Sequence, residues 1–296
     1  MRKFFYFSVV LFLSATTLSA QNAEEAAKVE PAWKLSGVTG LNFSQTSLSN
    51  WSGGGESALA GNVYLNGSLI YKEDKWAWEN NLALDYGLTR NESLGVRKNT
   101  DKIDFASKLG YIQNPKLYYT MLFDFKTQFT EGYNYGAMPK KLISNFMAPA
   151  YSTFSIGIDY KPNSKFSLYY SPFALRATFN TDKALDGMFG VDPGKTSKFQ
   201  MGSYLKTVYT VQLMENVNLV SKADFFTAYD KSFGNVDIDW DVLVTMKINK
   251  FLTTSLNTTL RYDDDVAYVD NAGVAHGPRI QFREILGLGV AYNFKN

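Results

Sequence analysis

The sequence predicts an all-β fold, a closed antiparallel transmembrane β-barrel of about twelve strands. Three observations predict it: long stretches in which apolar and polar residues alternate, links between them that alternate short and long, and an export-type beginning. Composition agrees. The 296 residues include 22 Phe, 19 Tyr and 5 Trp but only 8 Pro, a mix that favours strands. Mean hydropathy is slightly negative, as expected when one row of each strand faces lipid and the next faces water.

The alternation is clearest from Val236. There Val236, Ile238, Trp240, Val242, Val244, Met246 and Ile248 share one face, and Asp237, Asp239, Asp241, Thr245 and Lys247 share the other. Such a face runs more than ~20 Å at about 3.3 Å per residue, long for a strand of a soluble sandwich. Leu117, Tyr119, Met121, Phe123 and Phe125 repeat the pattern against Thr120, Asp124, Lys126 and Gln128. So do Leu286, Leu288, Val290, Tyr292 and Phe294 against Gly287, Gly289, Ala291 and Asn293. The strands predicted in this way are 33–46, 57–71, 75–90, 99–113, 116–130, 152–161, 165–179, 197–213, 217–229, 235–248, 252–263 and 279–294. Parity switches near Ser171-Pro172, which predicts a bulge.

Links at 72–74, 114–115, 162–164, 214–216 and 249–251 are short, and those at 47–56, 91–98, 131–151, 180–196, 230–234 and 264–278 are longer. Tight periplasmic turns and larger external loops give this asymmetry, with both termini on the short-turn side. Trp33, Tyr71, Trp76, Trp78, Tyr111, Tyr119, Phe166, Tyr292 and Phe294 fall near strand ends on that side, where rings suit a membrane interface. The 131–151 link is basic and apolar together. It is expected either to constrict the lumen, to cap the barrel and receive a partner, or to stand as a closed external loop.

The predicted organisation is a signal peptide at 1–20, a periplasmic arm at 21–32 and the barrel at 33–296. Arg2 and Lys3 precede a short apolar run at 4–13, and Leu18-Ser19-Ala20 offers a cleavage site before Gln21. The expected location is the outer membrane. With no Cys, disulfides, thiolate metal sites and lipid attachment through Cys are excluded. A formal net charge of +2 gives no field pointing to nucleic acid.

By parity the inward face carries Glu79, Asp85, Asp104, Asp124, Asp159, Asp224, Asp237, Asp239 and Asp241, with Lys108, Lys126, Lys206, Lys222, Lys247, Arg261 and Arg283. Hairpin geometry sets Lys206 opposite Asp224 and Asp239 opposite Arg261, a favourable cross-strand arrangement. Two readings stay open: a water-lined, weakly selective passage, or a salt-bridge lattice filling a closed barrel. The three carboxylates of 237–241 stand about 6.6 Å apart along the strand, too far to share one ion unaided. Asp263-Asp264-Asp265 with Asp270 and Asn271 lacks EF-hand spacing. His276 lies in a Gly-rich link, and Gly194-Lys195-Thr196 has Phe189 where a phosphate loop needs glycine. No catalytic set, metal site or cofactor is expected.

Phe43-Ser44-Gln45, Ser49-Asn50-Trp51-Ser52-Gly53-Gly54 and Trp76-Ala77-Trp78-Glu79-Asn80, with the 141–151 segment, resemble a Bacteroidetes family known only as a domain of unknown function. The resemblance implies an outer-membrane barrel over essentially the whole mature chain, and no activity. Gly289, Tyr292 and Phe294 are similar to the C-terminal signal read by barrel-assembly machinery, although Lys295 and Asn296 follow the last ring and Gly287 stands where a polar residue is usual. The leading functional expectation is a passive channel or porin for small solutes, surrounded by outer-membrane lipid. Next comes a structural or assembly barrel docking a surface protein through its external loops, and then a lipid-modifying enzyme acting through His276.

Overall fold

The computed structural model describes residues 32–47, 57–93, 95–137, 139–230, 232–269 and 274–296. The expected signal, the arm up to residue 31, the 48–56 link with its Trp51-Ser52-Gly53-Gly54, and Asp270 and Asn271 lie outside them.

Twelve antiparallel strands close on themselves. In chain order they are β1 (Trp33–Thr46), β2 (Ala58–Glu73), β3 (Trp76–Asn91), β4 (Gly95–Asn114), β5 (Leu117–Thr127), β8 (Ala150–Asn163), β9 (Phe166–Phe179), β10 (Ser197–Met214), β11 (Val217–Ala228), β12 (Asp237–Lys247), β13 (Leu252–Tyr262) and β16 (Gln281–Lys295). Each pairs with its neighbours in sequence, and β16 pairs with β1 to shut the ring, from Ser36 opposite Lys295 to Phe43 opposite Leu288. Closure leaves no bare sheet edge along that seam. Two two-stranded pieces stand outside the wall: β6 (Gly132–Asn134) with β7 (Lys141–Ser144), and β14 (Ala267–Val269) with β15 (Ala275–Pro278).

The five tight turns fall where the sequence places them, but one expected long link does not exist. β3 runs to Asn91 and β4 starts at Gly95, so the 91–98 link is itself a hairpin turn, entered by Gly95 at φ +67°. Arg97 and Lys98, expected in a loop, pair with Thr89 and Leu88 instead. The bulge expected at Ser171-Pro172 is present: register slips there against both β8 and β10, and Ser171 Oγ donates to the carbonyls of Ile156 and Phe173 at 2.8 and 2.9 Å.

The burial pattern is that of a soluble protein turned inside out. Phe173, Leu286 and Phe199 are 68, 65 and 61% exposed, while Asp159, Asp124 and Lys206 are 1, 3 and 8% exposed. Period two in the chain becomes outside and inside of the wall. On one side the interior is filled by Leu122, Tyr169, Tyr204 and Phe226 with Ala174 and Ala228. At the short-turn end Trp33 meets Tyr71 and Trp78 at ring-centroid distances of 5.0 and 5.8 Å, and Trp76 meets Tyr111 at 5.4 Å.

Small residues let the last strand close on the first. A Cβ on Gly289 would strike the Leu41 carbonyl oxygen, and one on Gly287 would press on the Asn42 side chain. Gly289 thus has a local steric reason beside its place in the C-terminal pattern.

Candidate functional site

The charged residues of the inner face meet in two clusters. Nearer the long-link end, Lys126 of β5 reaches across to Asp224 of β11 and Asp239 of β12, at 2.7 and 2.8 Å. Lys206 of β10 pairs with Asp124 and Asp224 at 3.2 Å each, and Tyr204 donates its hydroxyl to Asp124 at 2.8 Å. Lys102 of β4 pairs with Asp241 of β12 at 2.8 Å and Asp104 at 3.3 Å. Arg261 of β13 meets Asp239 at 3.3 Å, and Thr259 donates to Asp241 at 2.6 Å. The result is a belt of alternating charge across the interior.

Its reach tells the cross-section. Six strand steps separate β4 from β12 in either direction, so Lys102 and Asp241 lie on opposite walls. Twelve strands about 4.8 Å apart, tilted by roughly 40°, would close a circle about 24 Å across. A lysine and an aspartate stretched toward each other span only about 13 Å between Cα atoms. The wall is therefore flattened at the belt, with the β4–β5 side drawn toward β11–β12.

Nearer the short turns a second cluster joins β3, β4, β8 and β9. Lys108 pairs with Asp159 at 3.0 Å, Ser167 donates to Asp159 at 2.6 Å, and Lys161 pairs with Glu79 and, at 3.6 Å, Asp159. Charges removed from bulk water in this way hold only while each keeps its partner.

Two polar cavities lie on either side of the belt and share Lys126, Asp224 and Asp239 in their walls. The outer one, about 260 Å³, is bounded by Pro149, Phe189 and Val266 from the long links; the inner one, about 510 Å³, is bounded by the 163–166 turn and by Ser36 and Gly37 of β1. The outer wall carries four cationic and six anionic side chains, the inner wall six and five. Among the described residues, the barrier between the cavities consists of side chains.

Most residues picked out by parity lie in these clusters or walls. Lys206 does stand opposite Asp224, and Asp239 opposite Arg261. The three carboxylates of β12 face different cations: Asp237 meets Arg176, Asp239 meets Lys126 and Arg261, and Asp241 meets Lys102. Asp85 opposes Lys102 in the ladder but accepts its hydrogen bond from Asn62 at 2.9 Å. Lys222 opposes Asp241 and lines the inner cavity. Arg283 donates to Thr259 at 3.2 Å. Lys247 is exposed at the turn end of β12, away from the belt.

Sequence reasoning passed over Lys102, Lys161, Arg176 and Tyr204, and weighed Asp263 only as part of an acidic loop. The first two were open to it, since they sit two residues from Asp104 and Asp159 on the same face. Arg176 lies beyond the bulge at Ser171-Pro172, where parity has to be counted afresh.

The long links tie to one another. Asn145 donates to Asp182 at 2.8 Å, and Thr181 N donates to the Met147 carbonyl. The Asn145 amide, with the Ala184 N–H at 2.9 Å, holds the Asp182 carboxyl below its usual range. Gln128 of the barrel rim donates to the carbonyls of Asn145 and Ala148, at 2.7 and 3.2 Å. The 131–151 link thus closes over the rim; Lys140, in its hairpin, lies 4.0 Å from the Tyr133 ring centroid. Asp264 accepts from Asn235 at 2.6 Å, and Asp265 pairs with Lys198 at 2.6 Å. His276 lies in the β14–β15 hairpin opposite Tyr268.

Residues 43–133 match a family model described as a protein of unknown function (DUF3078). The 141–151 segment, expected to belong to the same resemblance, lies outside that match. No curated protein sequence matches the chain. Among solved structures, the COG4313 outer membrane channel from Pseudomonas putida F1 aligns at 12% identity and a TM-score of 0.42, over 93% of this chain and all of that one. The NanC porin aligns at 6% identity and 0.37, over 86% and 97%. The translocator domain of the autotransporter NalP from Neisseria meningitidis aligns at 9% and 0.35, over 90% of each. The closure and strand number described above rest on the pairing within this chain: it is a closed antiparallel β-barrel of twelve strands.

Proposed function

We propose that the chain spans an outer membrane as a passive channel for small hydrophilic solutes, with the lysine–aspartate belt as its narrowest section. The membrane part of the reading is supported by the outward rows of Leu, Phe, Val and Trp. A soluble monomer rarely exposes a contiguous apolar patch larger than a few hundred Å². Only a closed barrel or a helix satisfies its backbone among lipid tails. Rings gathered at the short-turn end suit a headgroup interface. The N-terminal segment supplies export, and Gly289, Tyr292 and Phe294 supply the mark for assembly machinery.

The observation that carries the channel reading is the pair of polar cavities parted by side chains. Lysine and aspartate rotamers exchange on a ps–ns scale where they are free to move, far faster than a folded segment leaves a barrel. A belt of mixed sign also presents partners to a hydrated ion of either charge, so selectivity should be weak.

The test is conductance of purified, refolded protein in a planar bilayer. Discrete steps are expected; silence from protein with heat-dependent gel mobility would remove the reading. The ties between Asn145 and Asp182, and between Asn235 and Asp264, favour a second one, a rigid external platform that docks a surface protein. Recovery of the barrel alone from solubilised membranes would count against that alternative.

A further inference from the structure

One carboxylate of the outer cavity has no ion pair among the described residues. Of the six acids there, Asp101 pairs with Lys98 at 2.7 Å, Asp124 with Lys206, Asp224 with Lys126 and Lys206, Asp237 with Arg176, and Asp239 with Lys126 and Arg261. Among the described residues, the side chain of Asp263, just past the end of β13, accepts only the N–H of Asp265, at 2.9 Å, and has no ion pair. Two positions earlier, Arg261 engages Asp239 through Nε alone, and its side chain is 47% exposed. A guanidinium has five N–H donors in a planar fork that fits a carboxylate. Arg261, with its terminal guanidinium nitrogens, and Asp263, with its carboxylate, therefore stand about 6.6 Å apart along the chain, both in the wall of one cavity.

Between them the wall is apolar on another side, where Pro149, Phe189 and Val266 contribute. The volume of about 260 Å³ is below the roughly 300–1,000 Å³ usual for sites of drug-sized ligands. We propose that the outer cavity binds a small zwitterion of the amino-acid class, with its ammonium on Asp263, its carboxylate on the terminal nitrogens of Arg261 and an aliphatic side chain against Phe189 and Val266. An ammonium would also relieve Asp263. Burial first, and then the nearby Asp237 carboxylate, push its carboxyl up to about 6, and an adjacent cation favours the charged form. The proposal rests on the channel reading only for passage of the bound solute, since the site itself needs no open belt.

Three probes dissect the site: leucine, 3-methylbutylamine, which lacks the carboxylate, and 4-methylpentanoate, which lacks the ammonium. Calorimetry on the full-length protein in non-ionic detergent should give leucine an affinity at least tenfold above either analogue. Asp263→Asn and Arg261→Gln should each reduce leucine to the level of the analogue that lacks the matching group. Equal affinity for all three probes, or leucine binding unchanged in Asp263→Asn, would overturn the proposal.

The unsubstituted protein gives a check independent of variant folding. Asp263 is faced by Asp237 of β12, Arg176 of β9, Tyr151 of β8, and Arg261 and Asp265 of its own segment. The Asp263 carboxyl, pushed up to about 6 by burial and by Asp237, is the group this test addresses. Leucine affinity should thus hold above pH 7 and fall by up to about tenfold for each unit below 6, whereas affinity that is flat from pH 7 to 5 contradicts it. Leucine binding by a barrel that never conducts supports the site and sinks the channel; conductance with no leucine binding does the reverse.

Discussion

Lys126 is the side chain whose loss should change the passage most. Its ammonium holds Asp224 and Asp239 at 2.7 and 2.8 Å and lies in the wall shared by both cavities. In Lys126→Met the methylene stem stays and one positive charge leaves. Asp224 keeps Lys206 at 3.2 Å and Asp239 keeps Arg261 at 3.3 Å, so the ring should still fold and show heat-dependent gel mobility. A permeant ion passing about 4 Å from the lost charge feels a change of about 1 kcal/mol at the dielectric constant of water, and more if the belt is partly dry. At 0.1 M salt the Debye length of about 10 Å does little to screen so short a distance. A cation then gains about fivefold in partitioning and an anion loses as much, so the cation-to-anion permeability ratio should rise about twenty-fivefold. The assay is the reversal potential across a planar bilayer under a tenfold potassium chloride gradient. It should move toward the potassium equilibrium potential, with larger conductance because the cross-lumen link is gone. A folded variant with the parent's reversal potential and step size would refute the reasoning.

Other consequences are as direct. Gly289→Val drives a side chain into the Leu41 carbonyl at the β1–β16 closure and should abolish the heat-modifiable band. Leu288→Val, half exposed on the outer face, should leave that band intact, and equal behaviour of the two would remove the steric account. Asn145→Ala unties the 131–151 link from Asp182 and should speed protease cleavage at Lys140 or Lys183 severalfold in intact barrels. Because Asp182 is held below its usual range, the tie should persist at pH 5 and loosen only once pH has fallen below the ordinary aspartate range; loosening already at pH 6 would contradict that sign.

Much of the wall was legible because its rule is local. Once Val236, Ile238 and Trp240 face lipid, Asp237, Asp239 and Asp241 must face inward, and a short turn then sets Asp239 against Arg261 without knowledge of the rest. The pairs that make the belt are not local. Lys102 reaches Asp241 and Lys126 reaches Asp239 only because the wall is flattened there, and that shape depends on strand stagger and interior packing, which no single strand encodes. The same limit explains Asp85: its ladder neighbour is Lys102, yet the lysine extends across the lumen. The 91–98 link misled because Arg97 and Lys98 look like loop residues, while Gly95 takes the turn and frees them for the ladder. Hairpins β6–β7 and β14–β15 are too short for periodicity to register.

The central claim is that each strand shows one row to lipid and the next to water. The chain has no Cys, so single cysteines can be placed at neighbouring positions of β12 in protein reconstituted into vesicles. A small, charged, membrane-impermeant thiol reagent should modify Asp241→Cys, in the belt, and leave Val242→Cys untouched. A lipid-soluble maleimide should show the opposite preference. Equal reaction of both positions with the charged reagent would mean that water bathes both faces of the sheet, and the membrane barrel described here would be wrong.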